Sequence, residues 1–587
     1  MPAAVAAGTA LVGWRAASLG QWLVDDAAVT FAYVRSIGEG LGPVQQAGAG
    51  PVEGYSNPAW LLLLLVGRVL GLFDRGAWFG VSDLVLFPKG LALGCVAGTL
   101  ACVAGIARAV VPARAWAVAL LTGALLAACR SYVVWSFSGL ENALYGLLAA
   151  ALCLVLVRGG SAWAAGLLAV AAALTRPDGV VLAAAYPLTV LMLRGRGRGR
   201  RRLRRDLIVN CAVFAGCYGT FLLLRRAEFG LWVPNTAVAK AQEAPDLAEL
   251  SKVGDLLGYA GWALVLVCAA CAGVVAARPG PGRRVLGVLC VPLALTLLAY
   301  GALAPDWMPL YRFATPVWVL GSTVAALAVV QLWRGARARL WLTGALACAL
   351  ALSLAGQEVR GAGFRREPTL SMCWVADRYG RTFNAYADRL ALRPGATAAL
   401  SDLGGTLLTS RLRIVDLAGL TDRRIAAAYA AADKAAVRRY VLTRVRPELL
   451  HVHAAWVGRT GLTRDRVTAA GYVPLYREEN GGDYVLASAV PGGPRRIAEV
   501  RAWAGPRVDA MRHEKHALGG RLGDCGARLS PGERASAVAP TRHVSAASPH
   551  AAALGDAPPP GTRRAEPIPL APLQGAAPVT LAGGATR

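Results

Sequence analysis

The feature that most constrains this chain is a series of long apolar segments in its first 355 residues. Of the 587 residues, 56% are hydrophobic and the mean hydropathy is +0.46, which excludes an ordinary soluble protein of this size. Small residues are abundant within the segments, which suits close packing of helices in lipid. The sequence therefore predicts a polytopic α-helical membrane protein with about 11–12 apolar segments. These segments lie near 3–24, 58–73, 88–110, 115–134, 140–157, 161–175, 179–193, 207–224, 257–277, 285–304, 313–331 and 340–355.

The chain has a net charge of +27, and in its first 355 residues the basic residues lie mostly in short hinges between the apolar segments. Eight arginines fall within the twelve residues from Arg194 to Arg205. These hinges are typical of cytoplasmic loops, and they lack the aromatic residues that accompany a nucleic-acid surface. With 194–205 inside, alternation places 305–312 and everything after 356 outside. Twelve full spans with the N-terminus inside would conflict with this, so we expect either that one segment does not cross, with 58–73 as first candidate, or that two segments merge. We expect a multi-pass protein of the cytoplasmic membrane that binds no nucleic acid.

The chain changes character after the last apolar segment. Between 356 and 491, short apolar runs alternate with turn signals and with helix-like segments, which predicts an extracytoplasmic α/β domain. From 492 to 587 the sequence is rich in Pro, Ala, Gly and Arg and has little periodicity, which predicts a disordered tail. Residues 1–355 would form the transmembrane catalytic domain.

Two adjacent carboxylates, Asp25 and Asp26, stand where the first apolar segment ends, and a polar loop is expected to follow them up to Pro58. Desolvating a carboxylate costs about 2.5–3.5 kcal/mol at the bilayer centre and less at its edge, so such a pair is rarely kept there without a role. All six histidines lie at His451 or later. Proton transfer or metal binding in the membrane region therefore falls to carboxylates. The alternative for the pair is a helix-end charge pair solvated by external water.

Several short motifs occur along the chain in a fixed order. Together they resemble the GT-C membrane glycosyltransferases, above all the mycobacterial terminal β-(1→2)-arabinofuranosyltransferase group and its actinobacterial relatives. The resemblance covers roughly residues 20–490. The motifs are D-D-A (25–27), V-E-G-Y-S-N-P-A-W (52–60), S-G-L-E (138–141), R-P-D-G (176–179), P-N-T-A-V-A-K (234–240), D-W-M-P-L-Y-R-F (306–313), D-L-G-G (402–405) and V-D-L-A-G-L-T-D (415–422).

The resemblance implies an enzyme of cell-wall biogenesis that takes a sugar, we expect arabinofuranose, from a polyprenyl-phosphate donor to a cell-envelope glycan. This reaction needs a carboxylate base for the acceptor hydroxyl and cations for the leaving phosphate. We assign Asp25 and Asp26 the catalytic role. For the donor phosphate we assign Arg312, Lys240 and Arg176, since guanidinium and ammonium groups suit phosphate oxygens. Residues expected to contact the sugar or the acceptor are Glu53, Tyr55, Asn57, Glu141, Asp178, Asn235, Asp306 and Trp307.

These assignments have structural alternatives. Arg312 would otherwise be an interfacial anchor, Trp307 an aromatic-belt residue and Asn235 a turn residue. The donor sugar stays open, because V-Q-Q at 44–46 stands where relatives usually have an aromatic–asparagine pair. A mannosyltransferase of the same architecture is one alternative. A lipid-linked sugar transporter or flippase is another, although the acidic and E-G-Y-S-N-P motifs have no second copy.

No cofactor is predicted with certainty. A divalent cation beside the paired aspartates is compatible with the sequence. It would have oxygen ligands only, which suits Mg²⁺, Ca²⁺ or Mn²⁺.

Overall fold

The computed structural model describes residues 1–193, 200–240, 251–304 and 306–517 of the chain. Helices occupy most of its first 366 positions, broken by 3₁₀ turns at Pro112–Arg114, Pro177–Ala184 and Arg312–Ala314. A two-residue hairpin, β1 (Ala77–Trp78) and β2 (Val81–Ser82), precedes the fourth helix. The helices are α1 (Pro2–Ala17), α2 (Asp25–Gly38), α3 (Pro58–Val69), α4 (Asp83–Ala107), α5 (Ala115–Ala128), α6 (Arg130–Ser136), α7 (Asn142–Val157), α8 (Ala162–Thr175), α9 (Ala185–Met192), α10 (Arg200–Phe229), α11 (Asn235–Lys240), α12 (Ser251–Ala260), α13 (Trp262–Ala277), α14 (Pro281–Ala302), α15 (Thr315–Leu332) and α16 (Ala336–Arg366).

Five helices in the described part of the chain are long and apolar enough to cross a membrane, namely α4, α10, α14, α15 with its preceding turn, and α16. The pairs α5–α6 and α12–α13 are bent by 85° and 95°, and each would count as one more span if it crosses as a unit. The helices α3, α7 and α8 are apolar but shorter than the roughly 20 residues that a full crossing needs. The structure confirms a multi-pass helical membrane protein, in which several apolar segments form short helices.

The helix α2 replaces the first part of the polar loop that the sequence predicted after Asp25. Its residues are buried on almost every side, including Phe31, Val34 and the charged Arg35. The Arg35 guanidinium is neutralised by Asp74, with Nη2 and Oδ1 2.6 Å apart. The loop prediction was wrong because α2 is covered by α3 on one side and by the C-terminal region on another. A helix buried in this way has no single polar face, so its sequence lacks the amphipathic pattern of a surface helix.

Five strands of the C-terminal region form one mixed sheet in the order β4-β3-β5-β7-β6. The strand β3 pairs in parallel with β4 and β5, and β7 pairs antiparallel with β5 and β6. The sheet confirms the α/β character predicted for this region. The elements are α17 (Met372–Val375), α18 (Thr382–Arg389), β3 (Thr397–Leu400), α19 (Gly404–Thr409), β4 (Arg413–Asp416), α20 (Arg423–Ala430), α21 (Lys434–Arg439), β5 (Leu449–His453), α22 (Ala454–Thr460), α23 (Arg464–Ala469), β6 (Tyr472–Glu478) and β7 (Gly481–Leu486), with π turns at Ala376–Arg381 and Tyr440–Val445 and a 3₁₀ turn at Ala487–Ala489.

A final helix, α24 (Gly493–Ala517), occupies the first part of the predicted disordered tail. It packs on β6, where the Tyr476 hydroxyl lies 2.6 Å from an Asp509 carboxylate oxygen. Trp503 of α24 meets the Tyr386 ring edge-on at 5.8 Å. The prediction was wrong for this stretch because a few apolar residues suffice to bind a helix to an existing sheet. The rest of the predicted tail, 518–587, lies outside the described residues.

Candidate active site

The two aspartates at the start of α2 have different surroundings. The Asp25 carboxylate is buried and accepts hydrogen bonds from two backbone amides, at 3.0 Å from Gly404 N and 2.7 Å from Gly405 N. Position 404 requires glycine, because a Cβ there would lie 2.0 Å from the Asp25 carbonyl oxygen. Burial raises the pKa of Asp25 well above its ordinary value, although the two amides oppose this shift. Asp25 thus anchors α2 to the D-L-G-G loop.

Asp26 faces a cluster of charged side chains, and its own side chain is 35% exposed. Its Oδ2 lies 3.7 Å from Nη1 of Arg312. The other two guanidinium nitrogens of Arg312 meet Asp306, with Nε 2.8 Å from Oδ2 and Nη2 3.2 Å from Oδ1. Burial raises the pKa of Asp26, and the charges of Arg312 and Lys240 lower it in part. Asp26 is therefore a reachable carboxylate beside a guanidinium whose remaining nitrogen is only loosely engaged.

Lys240 reaches the same cluster from α11. Its side chain is exposed, and its charge acts on Asp26 and Asp306. The first residue of α11, Asn235, is buried and donates hydrogen bonds to the carbonyl oxygens of Gly419 (2.8 Å) and Leu420 (2.9 Å). Asn235 thus fixes α11 against the V-D-L-A-G-L-T-D loop, which sets where Lys240 lies.

Arg176 is buried between two carboxylates and an aromatic ring. Its Nε lies 2.9 Å from Asp178 Oδ1 and its Nη1 3.0 Å from Glu141 Oε1. Its guanidinium stacks 4.5 Å from the centre of the Phe313 ring, and that of Arg312 lies 4.8 Å from the same ring. The second oxygen of Glu141 accepts a hydrogen bond of 2.8 Å from Asn57. These contacts fix Arg176 and the Phe313 ring, and the ring in turn orients the guanidinium of Arg312.

Glu53 forms a closed ion pair with Arg225, a residue that the sequence analysis did not single out. Both carboxylate oxygens meet the guanidinium, at 2.7 and 3.0 Å, and the two side chains are only 2% and 6% exposed. The next residue, Gly54, has no room for a Cβ, which would lie 2.6 Å from the Tyr33 hydroxyl oxygen. Tyr55 packs edge-on against the Tyr33 ring at 5.0 Å. The E-G-Y motif therefore fastens the first loop to the end of α10.

The structure brings most of the predicted site residues into one cluster. Trp307 is 65% exposed beside it, whereas Glu53, Tyr55 and Asn235 lie in supporting contacts. The sequence analysis did not assign a site role to Phe313 or Arg225. The position of the Phe313 ring between two guanidinium groups, and the pairing of Arg225 with Glu53, depend on contacts that neither sequence pattern nor spacing indicates. The cluster joins three cations to four carboxylates where the apolar helices end. Its members are Asp26, Glu141, Arg176, Asp178, Lys240, Asp306 and Arg312.

Comparison with known proteins gives structural likenesses at low sequence identity. No protein-family model and no curated protein matches the chain. The crystal structure of ArnT from Cupriavidus metallidurans bound to undecaprenyl phosphate is 13% identical, with a TM-score of 0.49 over 83% of this chain and 98% of that chain. The Archaeoglobus fulgidus oligosaccharyltransferase in complex with Zn and sulfate is 12% identical, with a TM-score of 0.43 over 69% of this chain and 62% of that chain.

The oligosaccharyltransferase AglB from Archaeoglobus fulgidus, in complex with an inhibitory peptide and a dolichol-phosphate, is 10% identical. Its TM-score is 0.41, and the likeness covers 68% of this chain and 63% of that chain. ArnT and AglB are GT-C glycosyltransferases. The arabinofuranosyltransferase subgroup stays a prediction.

Proposed function

We propose that this protein is a GT-C glycosyltransferase that transfers a sugar from a polyprenyl phosphate to a cell-envelope glycan at the outer face of the cytoplasmic membrane. The observation that carries the proposal is the open carboxylate Asp26, 3.7 Å from Arg312 at the ends of the apolar helices. A lipid phosphate places its headgroup at that height, and the helices offer walls for its hydrocarbon chain. The ordered motifs favour arabinofuranose as the sugar.

Asp26 is the general base in this proposal, and Asp25 is its anchor. The acceptor hydroxyl oxygen forms a bond to the anomeric carbon while the bond from that carbon to the phosphate oxygen breaks. The hydroxyl proton passes to Asp26, and the polyprenyl phosphate leaves as an anion. A base needs an ionised, reachable carboxylate near the reacting hydroxyl. Asp26 meets that need better than Asp25, whose two oxygens are occupied by amides.

The leaving phosphate would be stabilised by Arg312 and Lys240. Cations aimed at developing negative charge lower the barrier most where they are fixed in advance. Asp306 holds two nitrogens of Arg312 and leaves Nη1 toward Asp26. Lys240 reaches the same cluster from α11. Arg176, which the sequence also assigned to the phosphate, has two carboxylate partners and a ring contact, so we give it the role of orienting Phe313 and Glu141.

The external location rests on where the basic hinges lie along the helices. The helix α14 begins beside Arg283 and Arg284, and its other end leads to Asp306 and Arg312. At 1.5 Å per residue its 22 residues span about 33 Å, which matches a hydrocarbon core of about 30 Å. Because arginine-rich hinges favour the cytoplasm, the charged cluster and the α/β region would lie outside.

The test is to incubate purified protein with an acceptor glycan and each of several donors, namely polyprenyl-phospho-arabinofuranose, polyprenyl-phospho-mannose and a nucleotide sugar. We expect sugar on the acceptor and free polyprenyl phosphate from the first donor only. Turnover of the mannose donor alone would identify a mannosyltransferase. Movement of intact donor across a liposome bilayer without cleavage would identify a transporter and contradict the proposal.

A further inference from the structure

A second cluster of polar side chains lies at the C-terminal edge of the sheet. His451 and His453 are two residues apart on β5, so they share one face of that strand. The strand β3 runs parallel beside β5, with Ala399 level with Leu450, so its continuation brings Asp402 to the same place. One ligand atom from each of Asp402, His451 and His453 lies within 4.8 Å of the others.

The environment of His451 fixes which ring nitrogen is available. Its Nδ1 lies 2.7 Å from Asp483 Oδ1, and Asp483 also meets Nη2 of Arg378 at 2.9 Å. The Oδ1 atom of Asp483 is thus shared between the imidazole of His451 and the guanidinium of Arg378. A carboxylate that is paired with an arginine accepts hydrogen bonds, so Nδ1 of His451 carries the proton and Nε2 presents a lone pair.

That lone pair has no hydrogen-bond partner. The His451 side chain is fully buried, and within the described part of the chain no donor reaches Nε2. A buried acceptor left unpaired destabilises the fold unless a ligand engages it. Metal-bound histidines usually donate their other ring N–H to a carboxylate, as His451 does to Asp483.

The other two groups, Asp402 and His453, are suitable metal ligands and are partly exposed, so a metal ion can reach the site from solvent. The Nε2 of His453 lies 3.1 Å from Asp402 Oδ2, and the two side chains are 30% and 13% exposed. His451 is thus the buried side of the site, and His453 and Asp402 form its solvent-accessible side.

We propose that Asp402, His451 and His453 bind a divalent transition metal, with Zn²⁺ as the first choice. Two imidazoles and one carboxylate are a usual protein ligand set for Zn²⁺, with a fourth position left for water or substrate. A tetrahedral site with ligands about 2.0–2.1 Å from the metal brings the ligand atoms to about 3.4 Å from one another. The cluster would therefore contract slightly on binding, which the partly exposed His453 permits.

Such a metal would tie the sheet to the helix that carries Asp26. Asp402 opens the D-L-G-G loop, and the amides of Gly404 and Gly405 in that loop hold the Asp25 carboxylate. Fixing Asp402 therefore fixes the start of α2. This makes Asp402, His451 and His453 positioning residues for Asp26, and the metal a structural link between the two regions.

The first test is the metal content of the full chain, purified with a tag that contains no histidine and dialysed against metal-free buffer. We expect about one Zn²⁺ per chain by mass spectrometry. Added Co²⁺ should replace it and give the visible absorption of a low-coordinate site. Protein that contains no stoichiometric metal and binds neither Zn²⁺ nor Co²⁺ would overturn the proposal, whatever its activity.

The second test uses variants. His453→Ala removes a partly exposed ligand and should reduce the metal content at least tenfold while the protein stays folded, and His451→Ala should do the same. His513→Ala, which changes a histidine of the C-terminal stretch, is the matched control and should keep its metal. Metal content at the wild-type level in folded His453→Ala would contradict the assignment. Because metal content is read without turnover, this outcome is separate from the proposed transferase activity.

Discussion

Two ion pairs whose carboxylates lie within the first 60 residues, Glu53–Arg225 and Asp26–Arg312, differ in geometry and in exposure to solvent. Glu53 meets its guanidinium with both oxygens, and its side chain is 2% exposed. Asp26 lies 3.7 Å from Nη1 of Arg312, and its side chain is 35% exposed. The first pair is closed to any ligand. The second is open, and its arginine is oriented by a third residue, Asp306.

The difference in exposure and hydrogen bonding indicates a structural role for the Glu53–Arg225 pair and a chemical role for the Asp26–Arg312 pair. A closed, doubly hydrogen-bonded pair stabilises the fold and has no capacity left for a substrate. An open pair with a loosely engaged nitrogen can accept a phosphate oxygen on the cation and a proton on the carboxylate. Breaking the closed pair should therefore change stability, whereas breaking the open pair should change donor binding and turnover.

The largest expected effect on stability comes from opening the closed pair. Glu53→Ala leaves Arg225 buried without its partner, and breaking a buried pair this way costs about 3–5 kcal/mol of unfolding free energy. The measurement is denaturant or thermal unfolding in detergent. Asp388→Ala, which breaks a pair with Arg411 that is more than half exposed, is the control and should cost about 0–1 kcal/mol. Equal losses in the two variants would contradict the account.

Breaking the open pair should weaken donor binding. Arg312→Ala removes the charged donor nearest Asp26 and should cost about 1.5–3 kcal/mol of affinity, or about 10- to 150-fold, for a polyprenyl phosphate analogue. Arg312→Lys should also lose affinity, because lysine lacks the fork that Asp306 holds. The measurement is a titration in detergent, with Arg284→Ala from the opposite end of α14 as control. Unchanged affinity in Arg312→Ala would make this arginine an interfacial anchor.

Asp25→Asn should reduce stability in the same way as Glu53→Ala, but by less. An amide side chain accepts from one backbone N–H but turns its own NH₂ toward the other, so one of the bonds from Gly404 and Gly405 is lost. We expect a loss of about 1–3 kcal/mol of unfolding free energy and little change in donor affinity. Asp26→Asn is the matched comparison and should leave stability near wild type. If the two variants reverse these behaviours, the roles of the two aspartates are exchanged.

The smallest effect is a shift in the pH profile. Asp26 must be ionised to act as base, and burial raises its pKa, so activity should fall on acidification at a higher pH than for an ordinary aspartate. Arg312 and Lys240 lower this pKa, whereas Asp306 and Glu141 raise it. Arg312→Gln removes a lowering charge and should move the acidic limb to still higher pH. A limb that stays in place in this variant would show that another group titrates.

The sequence predicted the parts of this molecule that depend on local pattern. Apolar length identified the helices, and short strands with turn signals indicated the sheet. The orientation that the arginine hinges indicate stays a prediction. The sequence missed α2 as a buried helix and α24 as an ordered one, because both depend on neighbours that are distant in the chain. Single-sequence periodicity records none of these contacts.

The candidate site was predictable as a set of residues but not as a geometry. The motifs named both Asp25 and Asp26, yet only the packing of Gly404 and Gly405 on Asp25 separates their roles. Likewise, the histidines appeared irrelevant to the membrane region. The parallel pairing of β3 with β5 then places His451 and His453 beside Asp402, within the loop that holds α2. Long-range strand register of this kind leaves no mark in the local sequence.

The most direct test of the central claim is the release of polyprenyl phosphate by Asp26→Asn under conditions where donor binding is measured on the same sample. We predict donor affinity equal to or above that of wild type, because a negative charge beside the phosphate is removed. Release should fall at least about 10²-fold, as expected when a general base is removed. Release that stays within about tenfold of wild type, far short of that loss, would contradict the assignment of Asp26 as the base.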